Sequence, residues 1–411
     1  VTPDALVDLL GHPQPASTEA LLRASGANRF GDLQSIARIV ELVDGLEPYA
    51  EALNGLCEDL SGARPEKDAR LRSPLLRGWL NAFGRVEDWS AADPLLLDQL
   101  GQIDNMRFGF LDPADWEGVF AVCEGVCSCW DARLAVAGFD TGRIELRKHG
   151  SRLTYETAQG ATGVIDLDDA EDPRVLRAPR LVDSDIVVRN DLPPLRLRLR
   201  EGMTPTRGQA IERGRLDTDP ELYASFDPEP FLEAARLVRG VWPEEYDDWC
   251  KTLRVAVPRK APRGWTVHGM TVASHQGACW IVARGFPDLL DALVHEQSHV
   301  KLRYIEESLP ILEPEQPEQT FQVGWRSDPR PLIGIYEGVY VNLHVIEALG
   351  RCVERGALDE ASVALCRQRI RELQRKVSEA LNLLTAHGRF TELGRGFLEW
   401  AAGAVQAPRC C

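Results

Sequence analysis

The chain is short of positive charge. Its 411 residues carry 47 Lys and Arg against 63 Asp and Glu, a formal net charge of −16. A general nucleic-acid or anionic-membrane binder is excluded, because both need a basic face; a local basic patch stays compatible. No apolar run approaches the length that spans a bilayer, and the N-terminus lacks the charged-then-apolar order of a signal peptide. A cytoplasmic protein is the expectation, and a chain starting at Val1 is expected to have been trimmed. Zinc-type cysteine pairs are missing as well. The ten cysteines are scattered, and without a secretion signal they read as reduced thiols rather than a disulfide framework. Their one cluster, Cys123, Cys127 and Cys129, has a CxxxCxC spacing that suits neither the usual zinc pairs nor the iron–sulfur cluster of radical enzymes. It reads as cysteines buried on a helix, where the thiol packs as a small hydrophobe. Cys410 and Cys411 at the extreme C-terminus are expected to be exposed and disordered, an oxidation hazard rather than a site.

What is present is a globular chain: 44% apolar residues fill a real core at this length. From Val1 to about Leu100 apolar residues recur at helical spacing, as in SIARIVELVDGL and PLLRGWLNAF, and the pattern predicts helix through Phe108–Val136 around the cysteine cluster. The texture changes at Gly138. Short β-rich runs (RIELRK, RLTYETA, GVIDLDD, DIVVRND, LRLRLR) separated by Gly, Asp and Pro predict antiparallel strands. The alternating Leu and Arg of LRLRLR are what a sheet with one wet face looks like. Gly202–Pro230 is polar and predicts a connecting loop or lid. Helical pattern resumes with PEPFLEAARLVRGVW and runs through EEYDDWCKTLRVAV, followed by two strand-like runs, WTVHGMTVAS and CWIVARG. The expected fold is α+β: a helical N-terminal region (1–137), a β-rich region with a central, mostly antiparallel sheet (138–228), and a C-terminal helical core that carries the chemistry (229–411).

That chemistry is organised around DALVHEQSHVKLRY, Asp291–Tyr304, which holds His295, Glu296 and His299 in the order HExxH. On a helix, positions four apart share a face, so both imidazoles can reach one metal ion with Glu296 beside them. Leu289, Leu290, Leu293, Val294, Val300 and Leu302 give the helix a buried side. Strands leading into such a helix matter, because an edge strand can pair with an extended peptide through main-chain hydrogen bonds; Cys279–Arg284 is the candidate edge, with an interior place in the sheet equally open. Beyond the proline- and acid-rich PILEPEQPEQ, a long helix is predicted over LIGIYEGVYVNLHVIEALGRCVER. On it Glu337 and His344 lie seven apart on one face, and either could complete a metal site. Glu337 is preferred, since a carboxylate among Ile335, Tyr336, Val339 and Tyr340 is costly unless paired or bound to metal.

Two histidines and a carboxylate serve zinc in a hydrolase, with Glu296 as general base on a bound water, or iron(II) with positions open for a co-substrate and O2. The turn WRSDPRP tips the balance. Arg326 and Arg330, stiffened by proline just ahead of the third-ligand helix, are placed to clamp a carboxylate by paired hydrogen bonds. A 2-oxo diacid needs such a clamp, and a water-using protease does not.

LVHEQSHVKL followed by WRSDPRPLIGIYEGVY resembles the HExxH-type peptide β-hydroxylases, 2-oxoglutarate-dependent iron enzymes found with ribosomally made, post-translationally modified peptides. The likeness is strongest from about Trp242 to Leu349, where WPEEYDDW, VHGMTVASHQGA and the motif helix follow one another in the family's order. It implies a protease-like fold that uses Fe(II), 2-oxoglutarate and O2 to hydroxylate the β-carbon of a residue in a precursor peptide. His295, His299 and Glu337 would be the iron ligands, and Arg326 or Arg330 the co-substrate clamp. Glu296 would then orient a ligand or water rather than deprotonate one. The chain departs from the family at Glu337, where histidine or glutamine often stands, which leaves His344 and Asn342 open. A zinc metallopeptidase is the alternative.

Overall fold

The N-terminal helices begin where the sequence supplies a start signal. In the computed structural model, which describes residues 15–61, 69–195, 226–259, 269–282, 285–326 and 328–407, they are α1 (Pro15–Glu41), α2 (Glu47–Leu60), α3 (Pro74–Phe83), α4 (Pro94–Leu100) and α5 (Ile103–Arg107). Ser73 and Asp93 cap α3 and α4, each accepting from two backbone N–H groups of the first turn, and Pro74 and Pro94 follow where no N–H is needed.

The helical reading fails at Trp116. Phe108–Val136 contains β1 (Trp116–Val122), β2 (Val126–Ser128) and most of β3 (Leu134–Ala137). Glu124 and Gly125 turn between the first two at φ 49° and 80°, a backbone region that glycine enters freely. Cys127 and Cys129 are buried, as expected, but they lie in β2 and just after it, and Cys123 is exposed. β4 (Gly142–His149), β5 (Arg152–Thr157), β6 (Thr162–Asp166), β7 (Val175–Arg177) and β8 (Val187–Val188) complete the region.

The fold is α+β. One antiparallel sheet runs β1-β4-β5-β6 and a second β2-β3-β7. Between them Phe120, Leu134, Leu146, Leu153 and Ile165 form a core. β1 therefore belongs with β4, pairing Trp116 with Lys148 across the expected boundary at 137.

The third sheet positions the motif. α6 (Glu229–Val241) and α7 (Pro243–Thr252) lead into β9 (Val255–Arg259), so the expected helix through RVAV gives way to a strand of buried β-branched residues. β10 (Gly269–Thr271) and β11 (Ala278–Val282) follow, and the order is β10-β11-β9-β8, with β10 antiparallel to β11 and the other two pairs parallel. β11, the candidate edge, is interior and wholly buried; β10 ends the row among the described residues. Trp280, Val255 and Val257 face a core shared with α2 to α4. Cys279, Ile281 and Ala256 face the largest core, which takes in α8 (Asp288–Ser308), α9 (Leu332–Glu354), α10 (Glu360–His387), α11 (Glu392–Gln406), and Leu21 and Leu22 of α1.

α9 is, among the described residues, the one helix long and apolar enough to cross a membrane by length and composition, which the scan for apolar runs did not anticipate; 72% of its most apolar window is buried in the fold. Residues 196–200 of the Leu/Arg run, 202–225 of the expected lid, 265–268 of the first strand-like run, Ala283 and Arg284, and Cys410 and Cys411 lie outside the described residues.

Candidate metal centre

The motif helix α8 packs against β10, β11, α9 and α1. Its spacing delivers what the sequence predicts: the rings of His295 and His299 lie side by side, 5.0 Å between centroids at 67°. Burial first, and then His295 and Arg303, hold the His299 imidazole well below the ordinary histidine range. That favours the neutral ring, the form that ligates a metal.

Glu296 turns toward the sheet. Its Oε2 accepts from Thr271 Oγ1 on β10 at 2.7 Å, and the same hydroxyl reaches the Glu296 carbonyl at 3.2 Å. Burial pushes the carboxyl up to about 7, against the pull of Thr271 and Arg259. Gly269 makes room for it, since a Cβ there would fall 2.5 Å from Glu296 Cγ.

Glu337 is largely buried on α9, with its Oε1 2.8 Å from Arg303 Nη2. Arg303 stands one turn beyond His299 on the same face of α8 and also holds Glu306 at 3.0 Å. Burial raises the Glu337 carboxyl while Arg303 and Arg330 pull it down. Burial likewise lifts Glu306 to about 7, with Arg303 opposing and Glu337 adding. The paired-carboxylate alternative to a ligand is thus what the structure shows. Among the described residues no three His, Cys, Asp or Glu side chains gather to hold a metal ion. The imidazole pair suits one divalent ion; the predicted third donor does not join it in this arrangement.

The two alternatives for that donor are placed elsewhere. His344 is 2% exposed, with Trp242, Tyr340 and Trp400 around its ring at 6.1, 4.4 and 5.7 Å and its Nδ1 3.0 Å from the Tyr340 carbonyl. Asn342 donates to the Gly338 carbonyl of its own helix at 2.7 Å. Arg326 and Arg330 both grip Asp328, each through Nε at 3.1 Å. Burial alone would raise the Asp328 carboxyl, and the two guanidinia more than offset it, holding it low. Arg330 is close enough to Glu337 to act on its proton affinity; for Arg326 no such link to Glu337 is seen.

Two groups escaped the sequence reading. Arg303 was findable, because one more step of four past His299 keeps it on the ligand face. Lys301 was not. It is 1% exposed, with Nζ 2.8 Å from Asp248 and 3.7 Å from Glu245, both wholly buried on α7. Thr18 of α1 donates to the other Asp248 oxygen at 2.7 Å, and Trp249 Nε1 to Glu245 at 3.2 Å. Glu245 and Asp248 of WPEEYDDW thereby tie α7 to α8 just past His299.

Compared with known protein families, the chain matches no family model, and it matches no curated protein.

Proposed function

We propose that the chain is an iron(II)- and 2-oxoglutarate-dependent oxygenase acting in the cytoplasm on the β-carbon of a residue in a ribosomally made precursor peptide. The observation that carries this reading is the row of groups on one side of α8. His295 and His299 are followed on the same face by Arg303, which reaches across to Glu337, with Arg330 beyond it. An imidazole pair beside two guanidinia offers a seat for a divalent ion next to one for a dicarboxylate. O2 would supply the oxidising power, with iron(II) as the redox centre and 2-oxoglutarate as the co-substrate oxidised alongside the peptide. The chain's own part is to bind, orient and exclude water. His295 and His299 hold the ion, Arg330 or Arg326 takes the distal carboxylate of the co-substrate, and β10, which ends its sheet among the described residues, offers main-chain groups to an extended peptide. Glu296, tied to Thr271, keeps α8 in register with that strand. Glu337 is a ligand only if Arg303 releases it.

A zinc peptidase is the second reading, and one observation favours it: Glu296 adjoins His295 with a proton affinity near 7, which suits a general base. Its hydrogen bond to Thr271 counts against that role.

The test is anaerobic titration of the iron(II)-loaded protein with 2-oxoglutarate, followed by the visible charge-transfer band of a chelated 2-oxo acid. The band should appear, be absent in His299→Ala, and require at least about tenfold more co-substrate in Arg330→Ala or Arg326→Ala. No band, together with tight zinc binding and peptide cleavage abolished by Glu296→Gln, establishes the peptidase instead.

A further inference from the structure

Positive charge collects where the N-terminal helices meet the mixed sheet, on a different side of α8 from the histidines. Arg29 is 1% exposed; it donates to the Leu71 carbonyl and, at 3.0 Å, to Gln276 Oε1, and lies over the Tyr304 ring at 5.5 Å. Arg254, at the link between α7 and β9, donates to the Cys250 carbonyl at 2.9 Å. Neither guanidinium has an ion-pair partner among the described residues, whereas nearby Arg77 and Arg72 are paired to Glu307 and Glu19 at 3.0 and 3.1 Å. The Nε atoms of Arg29 and Arg254, Gln276 Nε2 and the Tyr304 hydroxyl are all sealed from solvent without a hydrogen-bond partner. A buried donor left so is costly, and a buried charge more so.

Arg254 differs from Arg29 in opening onto space. It lines a cavity of about 80 Å3 whose other walls include Ala69, Pro74, Ala132 and Val187. Two acids also border it, but both are taken: Arg133 holds Asp131 at 2.6 Å and Asp185 at 3.1 Å, and Arg180 adds a longer contact to Asp185 at 3.7 Å. We propose that this cavity binds a small carboxylate, with Arg254 as its counter-charge. The planar guanidinium matches a carboxylate, and the apolar part of the wall, Ala69, Pro74, Ala132 and Val187, suits a short aliphatic chain. Burial, with Arg72 next, depresses the proton affinity of Arg254 below the ordinary arginine range, and Asp185, at a distance longer than an ion pair, offsets that only in part. The occupant joins segments far apart in sequence, the start of α3, β8 and the α7–β9 link, so binding stabilises the junction between them.

Isothermal titration of the full chain with acetate and with malonate, beside sodium chloride and inorganic phosphate, tests this. The expected result is saturable binding of a carboxylate that chloride does not reproduce, weakened at least about tenfold in Arg254→Gln and retained in His299→Ala. Ala69→Phe narrows the cavity with Arg254 intact and should also abolish binding, which decides the matter if Arg254→Gln does not fold. No saturable carboxylate binding, equal binding by chloride, preference for phosphate, or full binding in Ala69→Phe overturns the proposal. Binding lost in His299→Ala but kept in Arg254→Gln does too, since it places the carboxylate at the metal centre, and it does so whether or not the oxygenase reading holds.

Discussion

Lys301 sits where neither water nor movement can relieve its charge. Its partners Asp248 and Glu245 are 0% exposed, so removing the ammonium strands two carboxylates in the interior. Lys301→Met should cost on the order of 3–5 kcal/mol in urea unfolding, and adding Asp248→Asn should return part of that loss, because the neutral amide no longer needs a cation. The same cluster gives stability a pH slope. Burial raises the Glu245 carboxyl to about 7, against the pull of Lys301 and with Asp248 adding to the rise. The folded protein therefore holds a proton there that the unfolded chain has released above the ordinary carboxylate range near 4.5. Stability from this group is complete below that range and falls as pH rises toward 7, by no more than about 3 kcal/mol. Urea midpoints of the parent and Glu245→Gln between pH 5 and 8 check it: the variant should lose that fall, and a parallel pair of curves would contradict it. The two histidines were legible because their spacing is local. The Lys301 network was not, because acids some fifty residues upstream look like any wet helix face until α7 packs on α8.

At the scale of elements, what matters is how closely α9 and its entry turn approach each other. A Cβ at Gly338 would fall 2.7 Å from Trp325 Cζ2, so glycine there lets the indole of the WRSDPRP turn rest on α9, carrying Arg326 and Arg330 with it. Gly338→Ala should displace Trp325, cost about 1–3 kcal/mol, and, on the proposed oxygenase reading, weaken 2-oxoglutarate binding without touching a proposed ligand. Trp325→Ala should lose the same affinity with less strain on α9. If Gly338→Ala binds the co-substrate as the parent does, the turn is not held by that contact. The sequence showed the helix, its neighbours in order and the proline-stiffened turn. It could not show that Asp328 occupies both arginines, since a pairing across two residues on each side depends on the bend of the turn. Whether Cys279–Arg284 is edge or interior was open in the sequence for a similar reason. CWIVARG and WTVHGMTVAS are both short apolar runs, and only the parallel pairing of β11 with β9 decides which lies inside.

At the scale of the whole molecule, the α+β class was legible from changes of texture along the chain. The strands of 116–137 were hidden because small and aromatic residues in short runs carry no period that separates helix from strand. Textures also conceal how cores are shared. Leu21 and Leu22 of α1 pack with α8 to α11, while Trp280 and Val257 of the mixed sheet pack with Leu53 and Leu76 of the N-terminal helices. Thr18 and Arg77 tie the same helices to Asp248 and Glu307 by polar contacts. If the N-terminal helices belong to the same folded body as α8, damage deep among them must be felt at α8. Leu76, 0% exposed on α3, reports on this. Leu76→Ala removes apolar contact from the second core and should cost about 2–5 kcal/mol. The loss should lower a single unfolding midpoint seen alike by far-ultraviolet circular dichroism and by a probe of the proposed metal site, such as loss of bound cobalt(II) absorbance. Two transitions, the first leaving the cobalt signal intact, would mean that the helices melt alone and that the shared face of the sheet contributes little to holding His295 and His299 in place.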